Sequence, residues 1–111
     1  MSCSAYDLVL IAFPYADLSS SKKRPVLVLT APDHHRDFIA LAVTTVPQSE
    51  PAILLTPIDL LDGTLPKPSW IRVDKVFTHS DQNIFKHIGK IKTACMEKVL
   101  KSLCSIVGYA K

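Results

Sequence analysis

Short apolar runs, each closed by turn-forming residues, recur along most of the chain, and the rhythm changes only near its C-terminal end. Residues 7–13 (Asp-Leu-Val-Leu-Ile-Ala-Phe) form an apolar stretch stopped by Pro14, the pattern of a strand buried on both faces or at a barrel seam. A second strand is expected over 25–30, opened by a proline at a position where no ladder N–H is needed. Turn residues fill 31–37, and a third strand is expected over 38–43 before Thr44, Thr45 and the breaker Pro47. A fourth follows over 52–56, and residues 57–62 suit a single helical turn, with Pro57 at its first position and Gly63 as its stop.

After another turn over 64–68, residues 69–78 read as a half-exposed strand or a bent pair of strands, with Arg72 and Asp74 on the polar face. Ser80 or Asp81 can cap a brief helical turn through Phe85, and a last strand over 87–91 is bent at Gly89. From 93 to 107 the period becomes helical. Met96, Val99, Leu100, Leu103, Ile106 and Val107 fall on one stripe, Thr93 can cap, Glu97 can pair with Lys101, and Gly108 can end the helix. The elements together predict a mainly β domain: a small, strongly curved antiparallel sheet or partly open barrel, closed on one side by a C-terminal helix.

Composition narrows this picture. A chain of 111 residues, 48% hydrophobic and 21% charged, builds one core and not two, so residues 1–111 are expected to form a single domain. The formal charge of +3 permits an anionic partner without requiring one. No apolar run reaches the length of a membrane span, and the first residues lack a basic segment followed by a hydrophobic one, so a cytoplasmic protein without a membrane anchor is expected. The three cysteines, Cys3, Cys95 and Cys104, have neither the number nor the spacing of a disulfide framework or a zinc knuckle, and are read as inert thiols.

Charge is concentrated in one place. Residues 19–25, Ser-Ser-Ser-Lys-Lys-Arg-Pro, carry three consecutive cations into the root of the second strand, where a phosphate can be gripped. The guanidinium of Arg24 offers a permanently charged, planar donor fork to two phosphate oxygens, whereas Lys22 and Lys23 act as point charges that position a backbone without reading bases. His34 and His35 are candidates for a general base because an imidazole titrates near neutrality, although adjacent residues of a turn face different ways. Trp70 and Phe77 are candidates for stacking on splayed bases, set against their expected place as core packing residues.

Residues 6–14, the serine loop and residues 23–30 together resemble the opening of the MazF/PemK family of toxin endoribonucleases. The resemblance continues through Ala-Leu-Ala-Val-Thr-Thr at 40–45, Ser-Trp-Ile-Arg-Val-Asp-Lys-Val at 69–76 and Ile-Gly-Lys-Ile at 88–91, so it spans nearly the whole chain. It implies an SH3-like barrel, a homodimer, inhibition by a cognate antitoxin, contact with DNA only through a toxin-antitoxin complex, and cleavage of single-stranded RNA without a metal or other cofactor. By the resemblance, Arg24 and Thr44 match the catalytic arginine and threonine, and Ser21, Lys22, Lys23 and Thr45 are the RNA-binding candidates. Tyr6 stands where the family usually has a glycine before the strand's aspartate, and the loop ahead of Arg24 has no acid nearer than Asp17. Two other readings compete: a catalytically silent SH3-like module that binds RNA or an acidic peptide, and an interaction domain whose cationic loop meets a protein surface.

Overall fold

A computed structural model describes residues 2–12 and 23–109. The described residues form seven strands and one α-helix: β1 (Asp7–Ala12), β2 (Lys23–Val28), β3 (Asp37–Thr44), β4 (Ile53–Leu55), β5 (Leu60–Gly63), β6 (Ser69–Ser80), β7 (Ile84–Ile91) and α1 (Thr93–Ile106). The strands make one antiparallel sheet in the order β4-β6-β3-β2-β1-β7-β5. The sheet is curled, and α1 packs against it, in agreement with the curved sheet and single terminal helix expected from the apolar pattern. Among the described residues, no helix is long and apolar enough to cross a membrane.

Strand alternation sorts the apolar side chains onto two faces. Leu8, Leu27, Leu41, Val43, Ile71 and Val73 point to one face and pack against Cys95, Met96 and Val99 of α1. Val9, Ile11, Val26, Val28, Phe38 and Ala40 point to the other and enclose Cys3. Residues such as Leu27, Leu41 and Val99 are fully buried, each contributing about 2 kcal/mol of apolar transfer. All three cysteines are free thiols; burial, with the nearby carboxylates of Asp7 and Asp81, pushes the Cys3 thiol up to about 11.

Several local expectations change. β2 starts at Lys23, so Pro25 lies inside the strand; it pairs with Leu10, but the β2–β3 ladder begins only at Val26, where the missing N–H leaves no gap. The expected helical turn over 57–62 is a 3₁₀ turn of three residues, Pro57–Asp59. The next four residues extend instead, because β5 finds a ladder with β7. Gly63 and Gly89 face each other in that pair, and a Cβ on either would strike the backbone of the opposite strand. The short turn after Ser80 ends at Asn83, with Ser80 accepting from the Gln82 amide at 3.2 Å, and β7 begins at Ile84, earlier than expected.

In α1 the cap position is Lys92, which makes no side-chain cap bond, and Thr93 is the first helical residue. Gly108 has φ +81 and closes the helix as expected. The apolar stripe is only partly used: Met96 and Val99 are buried, while Leu100, Ile106 and Val107 are exposed. Phe13, Pro14 and Asp17 lie outside the described residues.

The entry to β1 is strained. Tyr6 adopts φ +80, a region that favours glycine, and its amide donates to the Val28 carbonyl at 3.0 Å while its carbonyl accepts from Ile91 at 2.9 Å. Buried Asp7 follows directly. Its carboxylate meets Lys90 Nζ at 2.7 Å and accepts from the Ser4 amide at 2.9 Å, which pins the start of β1 to β7. Asp7 is therefore a structural anchor of the barrel seam.

Candidate functional site

Arg24 and Thr44 come from neighbouring strands. The β2–β3 register pairs Val26 with Ala42, and two further residues along it bring Arg24 level with Thr44. Both side chains share the face of Val26 and Ala42, and both line one open cleft of about 360 Å³. Ala42 and Val26 also line this cleft, and their small side chains let larger groups stand around it. Thr44 is held in place because its Oγ1 accepts a hydrogen bond from the Val46 amide at 3.1 Å. One acceptor site of the hydroxyl is thus occupied, and its own proton is available to donate into the cleft.

The opposite wall comes from β6, and an irregularity builds it. Leu41 pairs with Val76 and the next residue, Ala42, with Arg72, so residues 73–75 are extra on β6. The shift reverses the facing of the strand: Val73 points into the helix-covered core, whereas Arg72 and Phe77 both point to the Arg24 side. Lys75, within the irregular segment, lines the cleft too. Arg24, Arg72 and Lys75 make none of the ion pairs found among the described residues, which involve Arg36, His87 and Lys90. Three cations thus face one cleft without an ion pair to any described residue, an arrangement that suits a phosphate and its more highly charged transition state. Lys75 is the cleft cation with no expected role; Arg72, expected on a polar strand face, and Phe77, a stacking candidate, line the cleft with it.

The remaining candidates are distributed differently. Lys23, exposed at the start of β2, has its Nζ 4.1 Å from the centroid of the Phe85 ring. Thr45 lines a second, mostly apolar cleft of about 430 Å³ together with Leu8, Leu10, Leu65, Lys86 and His87. Pro25 and Val43 border both clefts, and the adjacent threonines open into different ones, Thr44 as the last residue of β3 and Thr45 just beyond it. Ser21 and Lys22 lie outside the described residues.

The histidines stand apart from the cations. His34 and His35 are exposed, with ring centroids 3.9 Å apart, in the turn before β3, whereas Thr44 closes that strand roughly 20 Å away at about 3.3 Å per residue. That turn is organised by Asp33, whose carboxylate accepts from the amides of His35 and Asp37 at 2.9 and 3.0 Å. These bonds, the one from Asp37 foremost, hold its pKa below the usual value. His79 is buried on β6 and its pKa is lowered by desolvation. Among the described residues lining the Arg24 cleft, none is a carboxylate or a histidine. The cleft supplies donors and positive charge.

Comparison with known proteins places the whole of this architecture. Residues 4–107 match the family model of PemK-like, MazF-like toxins of type II toxin-antitoxin systems. No curated protein matches the sequence. Among solved structures, an endoribonuclease in complex with its cognate antitoxin from a mycobacterial species superposes with a TM-score of 0.78 at 18% identity, covering 98% of each chain. MazF from Deinococcus radiodurans gives 0.75 at 19% identity over 97% of this chain and 98% of its own. The Mycobacterium tuberculosis toxin MazF-mt6 gives 0.73 at 17% identity over 95% and 99%.

Proposed function

The chain belongs to the PemK-like, MazF-like toxins of type II toxin-antitoxin systems, and from that premise we propose that it is an endoribonuclease that cuts single-stranded RNA in the Arg24–Thr44 cleft. The observation that carries the reading is the convergence of Arg24, Arg72 and Lys75 with the fixed hydroxyl of Thr44 around one opening. In this reaction the RNA 2′-oxygen attacks the adjacent phosphorus, the bond from phosphorus to the 5′-oxygen breaks, and the products carry a 2′,3′-cyclic phosphate and a 5′-hydroxyl. The 2′-hydroxyl loses its proton and the leaving 5′-oxygen gains one.

Negative charge on the non-bridging oxygens rises as the phosphorane forms, so donors placed there bind the transition state more tightly than the ground state. Arg24 supplies a planar fork to two of those oxygens, and Thr44 Oγ donates to one. Arg72 and Lys75 supply the remaining positive charge, which makes a metal ion unnecessary for this step. Ser21, Lys22, Lys23 and Thr45 contact the strand on either side of the reacting phosphate. The nucleophile belongs to the substrate, so DNA is not cut.

The protein acts as a homodimer in the cytoplasm, is restrained by a cognate antitoxin, and meets DNA only within a toxin-antitoxin complex. The direct test incubates the purified protein with a long single-stranded RNA in excess EDTA. Internal cleavage that persists in EDTA and falls by at least about a hundredfold in Arg24→Ala supports the proposal. RNA binding without cleavage would leave a binding module in its place.

A further inference from the structure

Phe77, like its neighbour Val76, is an exposed apolar residue of β6. Simple alternation from Val73 would turn it into the helix-covered core, yet the extra residues 73–75 reverse its facing and leave it 47% exposed at the wall of the Arg24 cleft. Its neighbour across the ladder is Ala40, whose single methyl cannot cover a phenyl ring. The ring has an aromatic neighbour on its own face of the sheet. It lies 6.0 Å from the imidazole of His79, which in turn lies 5.8 Å from the buried ring of Phe38.

From this geometry we infer that Phe77 is a stacking platform for a nucleobase of the RNA strand, a role that rests on the RNA-cleaving reading of the cleft. A solvent-facing ring with an aromatic neighbour on one side and cations that pair with no described carboxylate has the two features that hold a single strand: a flat apolar surface for a base and positive charge for its phosphates. The cations favour a nucleic acid over an apolar protein segment as the occupant. Ala40 and Thr44 are four residues apart on β3, so the ring stands roughly 13 Å along the strand from Thr44. The stacked base therefore flanks the scissile phosphate and does not adjoin it. Phe77 positions the strand and takes no part in the chemistry. Stacking accepts any base, so Phe77 adds affinity with little sequence preference.

The test uses non-cleavable 2′-O-methyl oligonucleotides, each carrying the fluorescent base 2-aminopurine at a different position. Binding at low salt is expected to quench emission severalfold at one position or two adjacent ones. Phe77→Tyr keeps that quench and binds within about threefold of the parent, whereas Phe77→Leu, similarly apolar but without a ring, loses the quench and binds about tenfold more weakly. Thermal unfolding of each variant establishes that the exposed site tolerates the change. Unaltered quench and affinity in Phe77→Leu would overturn the inference and leave the ring to a protein partner. Failure of the parent protein to bind any of the oligonucleotides would overturn the RNA reading itself.

Discussion

The Val46 amide donates to Thr44 Oγ1 at 3.1 Å, so the last residue of β3 presents its hydroxyl as a donor with a defined direction. Removing that hydroxyl while keeping the branched shape isolates its chemistry. Thr44→Val is expected to lower the single-turnover cleavage rate about a hundredfold with little change in RNA affinity, and Thr44→Ser to retain most of the rate. Measuring rate and affinity separately checks the assignment, because a purely structural threonine would tolerate valine.

Arg72 and Lys75 face the same cleft as Arg24, and that predicts a salt dependence. By neutralising phosphates these three cations contribute about −2 to the slope of log affinity for single-stranded RNA against log salt, at roughly 0.7 per phosphate contact. Arg72→Gln and Lys75→Gln should each make the slope shallower by about 0.7. Filter binding or anisotropy across a salt series measures this, and slopes unchanged in both variants would remove these residues from the interface.

Much of the fold is legible in the sequence because burial enforces period. The apolar runs of β1 and β3 and the helical stripe of α1 lie where their patterns place them, and Gly108 ends the helix. Arg24 and Thr44 are legible as a pair through the family pattern, and the register then brings them level. The facing of Lys75 and Phe77 was not legible. Three extra residues in β6 reverse the alternation, and no local residue type announces such a shift, because it depends on the ladder with β3. The strand at 60–63 escaped for a similar reason: its extension depends on the Gly63–Gly89 approach to β7.

The strained entry to β1 can be weighed by two substitutions at Tyr6. Its side chain is partly buried against the core, so Tyr6→Ala removes packing and leaves the unfavourable φ in place. Tyr6→Gly removes the same packing and relieves the backbone. The glycine variant should therefore be more stable than the alanine variant by about 1 kcal/mol. Denaturant titration of the two proteins gives the difference directly, and equal stabilities would show that the backbone relaxes without cost.

Acid sensitivity should trace partly to His79. Desolvation lowers its pKa in the folded protein below the ordinary 6.5, so the unfolded chain binds the proton more readily. The neutral imidazole contributes fully above about pH 6.5, and stability is lost as the pH falls below that value toward the lower folded pKa. Thermal melts from pH 7.5 to 5 should show a steeper decline for the parent than for His79→Gln. Parallel declines would assign the acid sensitivity elsewhere.

The chemistry of the product ends distinguishes attack by the 2′-oxygen from attack by water. Internal transfer driven by charge stabilisation at Arg24 and Thr44 leaves a 2′,3′-cyclic phosphate on one fragment and a 5′-hydroxyl on the other, so mass spectrometry of fragments made in excess EDTA should find these termini. Fragments bearing a 5′-phosphate and a 3′-hydroxyl would mean that water and not the 2′-oxygen attacks phosphorus, and would exclude internal transfer at the Arg24–Thr44 cleft.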